Sequence, residues 1–321
     1  MTIKITGTGI GLPKHHVTNE ELAEVTGLDT SDEWISTMTG IKARYICDEE
    51  TITDLATTAA INALADAGTA ATDIDYILCA TIGGDTRTPA LACAVAERIG
   101  VECAAADLSG ACTGFLYALD LISCMIQTGR ASTVLLICAE KMSAHLDFTD
   151  RNTCVLFGDG AAAVVVTPGS ALKYIHVTSH PDTQVLSLAN RMTGNSPFTH
   201  HRDEVGFVHM EGQKVFRYAV TYMEREVIKA LATLGLEPDD VDYYLVHQAN
   251  RRIIESAISR LDLSPDKFPM NIDRYGNMSS VSIPVLLHEQ LAAGTIKPGD
   301  TLVMCAFGAG MTYGSCVVEW E

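Results

Sequence analysis

The sequence predicts an α/β protein built from two copies of one strand-helix unit. Short apolar runs alternate with segments of helical periodicity through most of the 321 residues. Shifting the chain by 167 places aligns residues 60–81 with 227–248 at nine identical positions. Chance at ordinary composition gives about one or two identities, so the match indicates a duplication. A content of 47% hydrophobic and 19% charged residues suits two lobes with a large shared core.

The predicted elements follow from the length and period of each apolar segment. Strands are predicted near residues 3–7, 75–81, 103–107, 133–139, 161–166, 172–178, 242–247, 301–306 and 312–319. Helices are predicted near 54–67, 89–99, 112–128, 211–234, 250–261 and 279–293. Residues 140–158 and 180–208 show no clear period, which is typical of functional loops or lids. His200 and His201, in the second of these segments, are predicted to be exposed loop residues and not metal ligands.

A cysteine lies where a buried strand gives way to a helix, in the segment Gly-Ala-Cys112-Thr-Gly. Backbone N–H groups and the positive end of a helix dipole favour thiolate over thiol. Cys112 is therefore predicted to be a nucleophile near neutral pH. The alternative is a small buried hydrophobe, which describes most free cysteines.

Two polar residues at comparable junctions are candidate partners for the thiol. His247 ends a predicted strand, and Asn277 precedes a predicted helix that Ser279 and Ser280 are available to cap. Taken singly, such a histidine is usually structural and such an asparagine is usually a turn residue.

The repeat predicts that these residues meet. Asp-Leu-Ser-Gly at 107–110 pairs with Asp-Arg-Tyr-Gly at 273–276, which places Cys112 and Asn277 at almost equivalent positions of the two copies. Ligands of open α/β sheets bind at the carboxyl ends of strands. The duplication therefore predicts one site shared by Cys112, His247 and Asn277.

Composition excludes several classes of function. A net charge of −18 argues against a nucleic-acid partner. Ten cysteines without a Cys-x-x-Cys pair indicate neither a disulfide framework nor a zinc site, and a reducing cytoplasm fits them best. Apolar runs fall short of the roughly 18 residues that span a bilayer, so no membrane association is expected.

Seven motifs resemble, in order and spacing, those of the β-ketoacyl-acyl carrier protein synthase III family of the thiolase superfamily, and the resemblance covers essentially the whole chain. They are Thr30-Ser-Asp-Glu-Trp34-Ile, Gly-Ala-Cys112-Thr-Gly-Phe, Thr149-Asp-Arg151, Phe157-Gly-Asp-Gly-Ala, His247-Gln-Ala-Asn250, Gly276-Asn277-Met-Ser-Ser and Ala306-Phe-Gly-Ala-Gly310. The resemblance implies a duplicated, thiolase-type five-layer α-β-α-β-α sandwich that forms a homodimer. Residues 1–170 form the half with the nucleophilic cysteine, and residues 171–321 form the half with the histidine and the asparagine.

The resemblance also implies a chemistry, the decarboxylating Claisen condensation of an acyl-coenzyme A primer with malonyl-acyl carrier protein, which initiates fatty acid synthesis. Cys112 carries the acyl group as a thioester, and no separate cofactor is expected. His247 and Asn277 act as neutral N–H donors to the enolate left by decarboxylation. The backbone N–H groups of Cys112 and Ala309 form the oxyanion hole, although glycine is frequent in the family where this chain has Ala309.

Substrate-binding residues follow from the same resemblance. Trp34 and Arg151 are expected to clasp the adenine of coenzyme A, and Gly212 and Asn250 to contact its pantetheine arm. Some members carry an arginine where Met38 stands, so the grip on the nucleotide is expected to be weaker or arranged differently.

The acyl pocket and its gate are assigned to Thr88, Phe157 and Phe307. Certain members place a phenylalanine just before Pro89, reaching across the dimer, where this chain has Thr88. A smaller side chain leaves room for a longer acyl tail, at about 0.8 kcal/mol for each additional buried methylene. Acceptance of acyl chains beyond acetyl is therefore expected.

Basic residues cluster on the two helices that flank the histidine strand, at Lys214, Arg217, Arg251, Arg252 and Arg260. The resemblance assigns Arg217, Arg251 and Arg252 to docking of the acidic carrier protein. Solvated helix faces with local ion pairs are an equal alternative on spacing alone.

Other functions remain open at this point. A specialised ketosynthase III-like acyltransferase or condensing enzyme of secondary metabolism shares the same three residues. A degradative thiolase needs a second catalytic cysteine, for which Cys305 and Cys316 are candidates. A papain-like hydrolase also uses Cys, His and Asn but lacks the two-copy α/β organisation. The non-enzyme alternative is a carrier-binding subunit.

Overall fold

The computed structural model of the chain describes residues 2–191 and 204–321, in which strands and helices alternate as the sequence predicts. The strands are β1 (Thr2–Gly11), β2 (His15–Thr18), β3 (Ala43–Ile46), β4 (Tyr76–Ala80), β5 (Ala104–Leu108), β6 (Val134–Glu140), β7 (Gly160–Gly169), β8 (Leu172–Ser179), β9 (Leu186–Arg191), β10 (Glu204–Met210), β11 (Tyr243–Val246), β12 (Thr301–Gly308) and β13 (Thr312–Glu319). The helices are α1 (Asn19–Thr26), α2 (Asp32–Thr39), α3 (Ile52–Ala67), α4 (Leu91–Ile99), α5 (Gly114–Gln127), α6 (Gly212–Leu234), α7 (Arg251–Leu261), α8 (Ile272–Tyr275) and α9 (Ser282–Ala292).

Two mixed sheets form the framework of the fold. The first has the order β1-β7-β6-β4-β5, with β6, β4 and β5 parallel and with β7 antiparallel to both β1 and β6. The second has the order β11-β12-β13-β8, with β11 parallel to β12 and the other pairs antiparallel. The parallel pair β4/β6 of the first sheet and the pair β11/β12 of the second are the strands that the sequence repeat aligns.

Helices cover both faces of each sheet, which gives five layers. Alternate residues of β6 show the pattern: Val134, Leu136 and Cys138 belong to a core shared with α5, α9 and the second sheet. The intervening residues of β6 pack with α3 and α4 on the outer face. Helices α6 and α7 cover the outer face of the second sheet. The layer order is α-β-α-β-α, as predicted, and strands buried on both faces explain the continuous apolar runs.

A small cap built by residues 15–46 is not predicted by the sequence. It contains the antiparallel strands β2 and β3, with the short helices α1 and α2 between them in the sequence. Thr18 and Ser31 cap these two helices by accepting bonds from backbone N–H groups of their first turns. Eight-residue helices and four-residue strands carry too little periodicity to be recognised, and the cap packs onto the remainder of the chain through Ile35 and Ile41.

The segments without a clear period are partly regular. Residues 186–191 and 204–210 pair as the antiparallel strands β9 and β10. Residues 140–158 contain the end of β6, a 3₁₀ turn at Met142–His145 and further turns. The predicted loop residues His200 and His201 lie outside the described residues. Within the described parts of the chain, no helix combines the length and apolarity that crossing a bilayer requires.

Candidate active site

Three side chains from distant parts of the sequence line one cavity of about 1030 Å³. Cys112 follows β5, His247 follows β11, and Asn277 precedes the turn that leads into α9. The cavity thus brings a thiol, an imidazole and a carboxamide to one space. Its volume lies at the upper end of small-molecule sites, which range over about 300–1,000 Å³.

Cys112 lies in a tight turn between β5 and α5. The turn spans Ala111–Thr113, and Ala111 adopts a left-handed φ of 47°. Helix α5 begins at Gly114, so Cys112 lies before the helix and not within its first turn. Gly308 at the end of β12 approaches so closely that a Cβ there would lie 2.8 Å from the Cys112 nitrogen. Glycine at this position therefore allows the second sheet to reach the thiol.

The protonation state of Cys112 differs from the sequence prediction. Burial raises the pKa of the thiol to about 12; the Ser279 hydroxyl opposes this shift and the Glu140 carboxylate adds to it. The prediction of a thiolate near neutral pH is therefore wrong for the free protein. The thiol nevertheless borders the cavity and stays partly accessible through it.

His247 is a buried, neutral imidazole. Its backbone N–H donates to the carbonyl of Cys305 at 2.9 Å, directly after the last paired residues of β11 and β12. Its ring meets Phe307 edge-on, with 5.4 Å between ring centroids. Burial lowers the pKa of His247 to about 3, so the ring carries no charge at neutral pH. Its Nδ1 is buried and has no hydrogen-bond partner among the described residues.

Asn277 is held by backbone on both sides. Its N–H donates to the carbonyl of Leu156 at 2.8 Å, and its carbonyl accepts from Gly158 N–H at 3.1 Å, which forms a parallel bridge with Phe157. The side-chain Oδ1 accepts a bond from the Ser279 backbone N–H at 2.8 Å. Because Oδ1 is used in this way, the Asn277 amide group is left to donate towards the cavity.

Ser279 and Ser280 do not cap the helix that follows them. Both hydroxyls donate to Glu140 at the end of β6, at 3.2 and 2.8 Å, and no described side chain caps α9. The prediction of caps is wrong because these residues lie in a 3₁₀ turn, Ser279–Val281, that points them at a buried carboxylate. Sequence reasoning missed Glu140, although a charged residue ending the apolar run Val134–Glu140 is a signal of a buried polar contact.

The end of β12 brings the predicted second oxyanion donor to the cavity. Ala309 lines the cavity next to Gly308 and Cys112, and its φ lies outside the left-handed region. A Cβ at 309 is therefore accommodated without backbone strain. Thr312 accepts or donates a short hydrogen bond with Thr113 and donates to the carbonyl of Ala309 at 3.1 Å, which ties the two turns together.

The cavity mouth carries the residues expected to bind coenzyme A. The Arg151 guanidinium lies over the Trp34 ring at 5.0 Å, and it donates to the carbonyl of Asp29 at 2.7 Å. Gly212, the first residue of α6, also lines the cavity.

Asn250 lines the cavity as well, but its side chain is engaged within the chain. Its Oδ1 caps α7 by accepting from Arg252 N–H at 2.9 Å, and its Nδ2 donates to the carbonyl of Met38 at 3.1 Å. Met38 is exposed, and its sulfur accepts from the Arg252 guanidinium at 3.7 Å. Met38 therefore connects the segment 15–46 to α7. Where some family members have an arginine, its uncharged side chain leaves one cation fewer at the cavity mouth.

The apolar part of the cavity contains two of the three residues assigned to the acyl pocket. Phe157 and Phe307 line it, whereas Thr88 is exposed on the loop before α4 and does not line the cavity of its own chain. The antiparallel strands β9 and β10 add residues to the cavity wall that the sequence analysis did not predict. Leu188 pairs with Val208 and Leu186 pairs with Met210, and all four residues line the cavity. Side chains alternate between the two faces of a strand, so these apolar residues at every second position share one face, a pattern that the sequence contains.

The basic residues near the mouth separate into different environments. Arg217 and Arg252 are exposed and line the cavity. Arg251 is half-buried, with its side chain packed against Gly40 at the end of α2. Lys214 and Arg260 pair with Glu211 and Glu224, at 2.7 and 3.2 Å.

Comparison with protein families places the cavity in context. Residues 106–182 match the family model described as 3-oxoacyl-[acyl-carrier-protein (ACP)] synthase III, and residues 231–320 match the model of its C-terminal part. The first range contains Cys112, and the second contains His247 and Asn277.

Relatives of similar length extend this match to the whole chain. The chain is 41% identical to the beta-ketoacyl-[acyl-carrier-protein] synthase III of Aquifex aeolicus over 100% of both chains. It is 42% identical to the protein of the same name from Clostridium acetobutylicum over 99% of both. The crystal structure of the enzyme from Aquifex aeolicus VF5 superposes with a TM-score of 0.91 and 40% identity, covering 99% of this chain and 100% of that one.

Proposed function

The chain belongs to the 3-oxoacyl-[acyl-carrier-protein] synthase III family, and from this membership we propose how its cavity carries out the reaction. It is an acyltransferase that joins an acyl primer from acyl-coenzyme A to malonyl-acyl carrier protein in a decarboxylating Claisen condensation, the first condensation of fatty acid synthesis. Of the alternatives that the sequence left open, the specialised condensing enzyme is the nearest, and full-length identity near 40% to the named synthases favours the fatty acid enzyme.

The first half-reaction uses Cys112. Its sulfur attacks the thioester carbonyl of acyl-coenzyme A, the tetrahedral oxyanion accepts bonds from the backbone N–H groups of Cys112 and Ala309, and coenzyme A leaves as a thiolate. Because burial raises the pKa of the free thiol to about 12, Cys112 loses its proton to solvent in the complex with acyl-coenzyme A, and the departing coenzyme A thiolate takes up one proton in exchange. The half-reaction therefore ends with an acyl group on Cys112.

The second half-reaction uses His247 and Asn277. The malonyl thioester loses carbon dioxide, and its carbonyl oxygen becomes an enolate that needs stabilisation without a counter-charge. A neutral imidazole and a carboxamide supply N–H donors for that oxygen. The enolate carbon then attacks the acyl-Cys112 carbonyl, the carbon–sulfur bond breaks, and the Cys112 thiolate takes up one proton from solvent.

A single observation carries the proposal: a thiol, a neutral imidazole and a carboxamide amide share the wall of one cavity. A papain-like hydrolase instead pairs its cysteine with a histidine that becomes charged. Burial that lowers the pKa of His247 to about 3 disfavours that role and supports a hydrogen-bond donor.

Substrate binding is proposed at the cavity mouth. Adenine is proposed to bind between the Trp34 ring and the Arg151 guanidinium. The guanidinium carbon now lies 5.0 Å from the centre of the ring, which leaves no room for a base between them, so the arginine must first move outward. The pantetheine arm then follows Gly212 and Asn250. Since both polar atoms of the Asn250 side chain already have partners, we expect it to shape the channel more than to bind the arm.

The partners and location complete the proposal. Arg217 and Arg252 at the mouth support docking of an acidic carrier protein, with Arg251 contributing through its packing on α2. Strand β5 is an edge strand that pairs with β4, so its free edge supports a homodimer. We further propose that residues 1–170 and 171–321 are the two duplicated halves, that no separate cofactor or metal takes part, and that the enzyme is cytoplasmic and binds neither membranes nor nucleic acid.

The test of the proposed function follows one acyl group through both half-reactions. Purified protein is mixed with acyl-coenzyme A, and intact mass spectrometry is expected to show one added acyl group. Addition of malonyl-acyl carrier protein is expected to remove that group and to yield 3-oxoacyl carrier protein with release of carbon dioxide. Hydrolysis of the acyl group to the free acid, without carrier product, would contradict the proposal.

Acyl length is the finer point of the proposed function. The apolar walls of the 1030 Å³ cavity support acceptance of chains longer than acetyl. The small Thr88 supports it as well, because the proposed homodimer would bring this exposed residue to the cavity of the neighbouring protomer. Rates of acyl-enzyme formation are compared for acetyl-, butyryl- and octanoyl-coenzyme A in the native protein and in Thr88→Phe. We expect the native protein to accept all three substrates and the variant to favour acetyl-coenzyme A. A steep fall of the acylation rate with chain length in the native protein would contradict this expectation.

A further inference from the structure

Glu140 is a fully buried carboxylate beside the active-site cavity that the reaction described above does not use. It ends β6, has 0% exposure, and accepts hydrogen bonds from three residues. Two come from the hydroxyls of Ser279 and Ser280, at 3.2 and 2.8 Å, and the third comes from the backbone N–H of Ile82 at 3.1 Å. All three donors are neutral, so no cation compensates the charge among these contacts.

The partners of Glu140 lead directly to Asn277. Ser279, whose hydroxyl donates to Glu140, also donates its backbone N–H to Asn277 Oδ1 at 2.8 Å. Ser279 adopts a left-handed φ of 52°, a conformation that a side chain with a Cβ rarely takes unless its surroundings enforce it. The two hydroxyl bonds to Glu140 hold the turn Ser279–Val281 in that conformation. Asn277 is thereby oriented with its amide group free for the substrate.

The charge of the same carboxylate also acts on the Cys112 thiol. Burial raises the pKa of Glu140 to about 7, and the bonds from Ile82, Ser280 and Ser279 oppose this shift. Two titratable groups interact with it: Cys112 on the turn before α5 and Cys138 on β6 itself. The charge of Glu140 raises the pKa of both thiols. Ionised Glu140 therefore favours the Asn277 turn and disfavours the Cys112 thiolate.

We propose that Glu140 is a positioning residue for the decarboxylation half-reaction, because its hydrogen bond from Ser279 fixes the orientation of Asn277. This inference rests on the proposed function, because Asn277 has a role only if an enolate forms. A separate consequence concerns the thiol, because the charge of Glu140 also opposes ionisation of Cys112. Loss of the charge is expected to slow condensation and to make the thiol more reactive.

The experiment compares Glu140→Gln with the native enzyme in two separate assays. Glutamine retains the shape of the side chain but removes its charge and can no longer accept all three bonds. Condensation is measured on enzyme that has already been acylated, with malonyl-acyl carrier protein as the second substrate. Reactivity of the thiol is measured as the rate of alkylation by iodoacetamide, with Cys112→Ala used to subtract the other cysteines.

We expect condensation to fall about tenfold or more in Glu140→Gln, as for weakening of a preorganised donor. We expect alkylation at neutral pH to rise by up to about tenfold, the change in thiolate fraction for one pKa unit. In the native enzyme, condensation should also decline as pH falls below about 7, where Glu140 becomes protonated. The variant should lack this decline.

Glu226→Gln is the matched control, because Glu226 is equally buried but pairs with His176 on the outer side of the second sheet. It should change neither rate. Unchanged condensation in Glu140→Gln would overturn the inference. So would a rise in alkylation of the same size at about pH 5, where Glu140 of the native enzyme is already protonated, because loosened packing exposes the thiol at every pH. Failure of the native enzyme to form 3-oxoacyl carrier protein would instead contradict the proposed function, which this design distinguishes.

Discussion

The two junctions that lead into the central helices are built alike but perform different tasks. The turn Ala111–Thr113 precedes α5, and the turn Ser279–Val281 precedes α9. Each turn starts with a residue other than glycine in the left-handed conformation, and the junctions touch, because a Cβ on Gly114 would lie 3.3 Å from the Ser280 Cβ. When the two turns are matched at their left-handed residues, Ala111 and Ser279, the counterpart of Cys112 is Ser280. The sequence prediction that Cys112 and Asn277 are nearly equivalent is therefore off by a few residues.

What differs is the element before each turn. The first junction follows β5, an edge strand of the five-stranded sheet. At the second junction the chain forms the short helix α8, and no described strand occupies the matching edge of the four-stranded sheet. Asn277 bridges to Phe157 instead. One copy thus presents the Cys112 thiol after an edge strand, whereas in the other copy the short helix α8 and a bridge to Phe157 hold Asn277.

The ends of two equivalent strands show the same division. In the register of the repeat, Glu140 at the end of β6 corresponds to Phe307 near the end of β12. Glu140 receives the hydroxyls that hold the Asn277 turn, whereas Phe307 packs edge-on against His247. Glu140 therefore supports the turn that holds the Asn277 amide, whereas Phe307 helps to exclude water from the neutral His247 ring. The framework is duplicated, and different side chains at equivalent positions suit each copy to the role that we propose for it.

The largest effect is expected when the proposed nucleophile of the first junction is removed. Cys112→Ala should abolish acyl-enzyme formation, a loss of at least about 10³-fold. Intact mass spectrometry after incubation with acyl-coenzyme A checks this. Cys93→Ala, which changes an exposed cysteine of α4, should acylate normally. An acyl group on the Cys112→Ala protein would refute the assignment.

The second half of the molecule should fail at a different step. His247→Ala removes one donor to the enolate, so condensation should fall by about 10²–10³-fold while acylation changes by only a few-fold. Rates of both steps are measured separately, with the exposed His15→Ala as the control. Equal loss of both steps would contradict the assignment of His247 to the second half-reaction alone.

Stability against pH tests whether His247 is kept neutral. Its pKa is about 6.5 when unfolded and about 3 when folded, so between these values the unfolded chain binds the proton more readily. The free energy of unfolding should therefore fall as pH drops from 6.5 towards 4, by up to about 1.4 kcal/mol per pH unit from this group. Urea denaturation of native protein and of His247→Gln at several pH values gives the difference. Parallel curves for the two proteins would contradict burial of a neutral ring.

The smallest effect is expected at the cavity mouth, where charge steers the partner. Arg252→Glu should weaken carrier-dependent condensation by about tenfold, more at low salt, and leave acylation by acyl-coenzyme A unchanged. Arg260→Glu on the same helix is the control, because Arg260 pairs with Glu224 and lies away from the cavity. Equal effects of the two variants on the apparent KM for the carrier protein would rule out a docking role for Arg252.

The sequence predicts the long elements well and the short ones poorly. Strands such as β6 and helices such as α6 have periods that stand out, whereas the cap at 15–46 consists of elements too short to show one. His247 could be placed near Cys112 because the repeat aligns β11 with β4, and Asn277 because the repeat aligns the segments before α5 and α9. The pKa of Cys112 could not be predicted, because it depends on burial and on Glu140, which comes from another strand.

The fate of the acyl group in Asn277→Ala tests the division of the reaction between the two junctions most directly. The variant is acylated with acyl-coenzyme A, separated from excess substrate, and followed by mass spectrometry after addition of malonyl-acyl carrier protein. We predict that Cys112 becomes acylated at close to the native rate and that the acyl group then persists while the native enzyme discharges it. Discharge at the native rate, or absence of the acyl group from the start, would contradict the account.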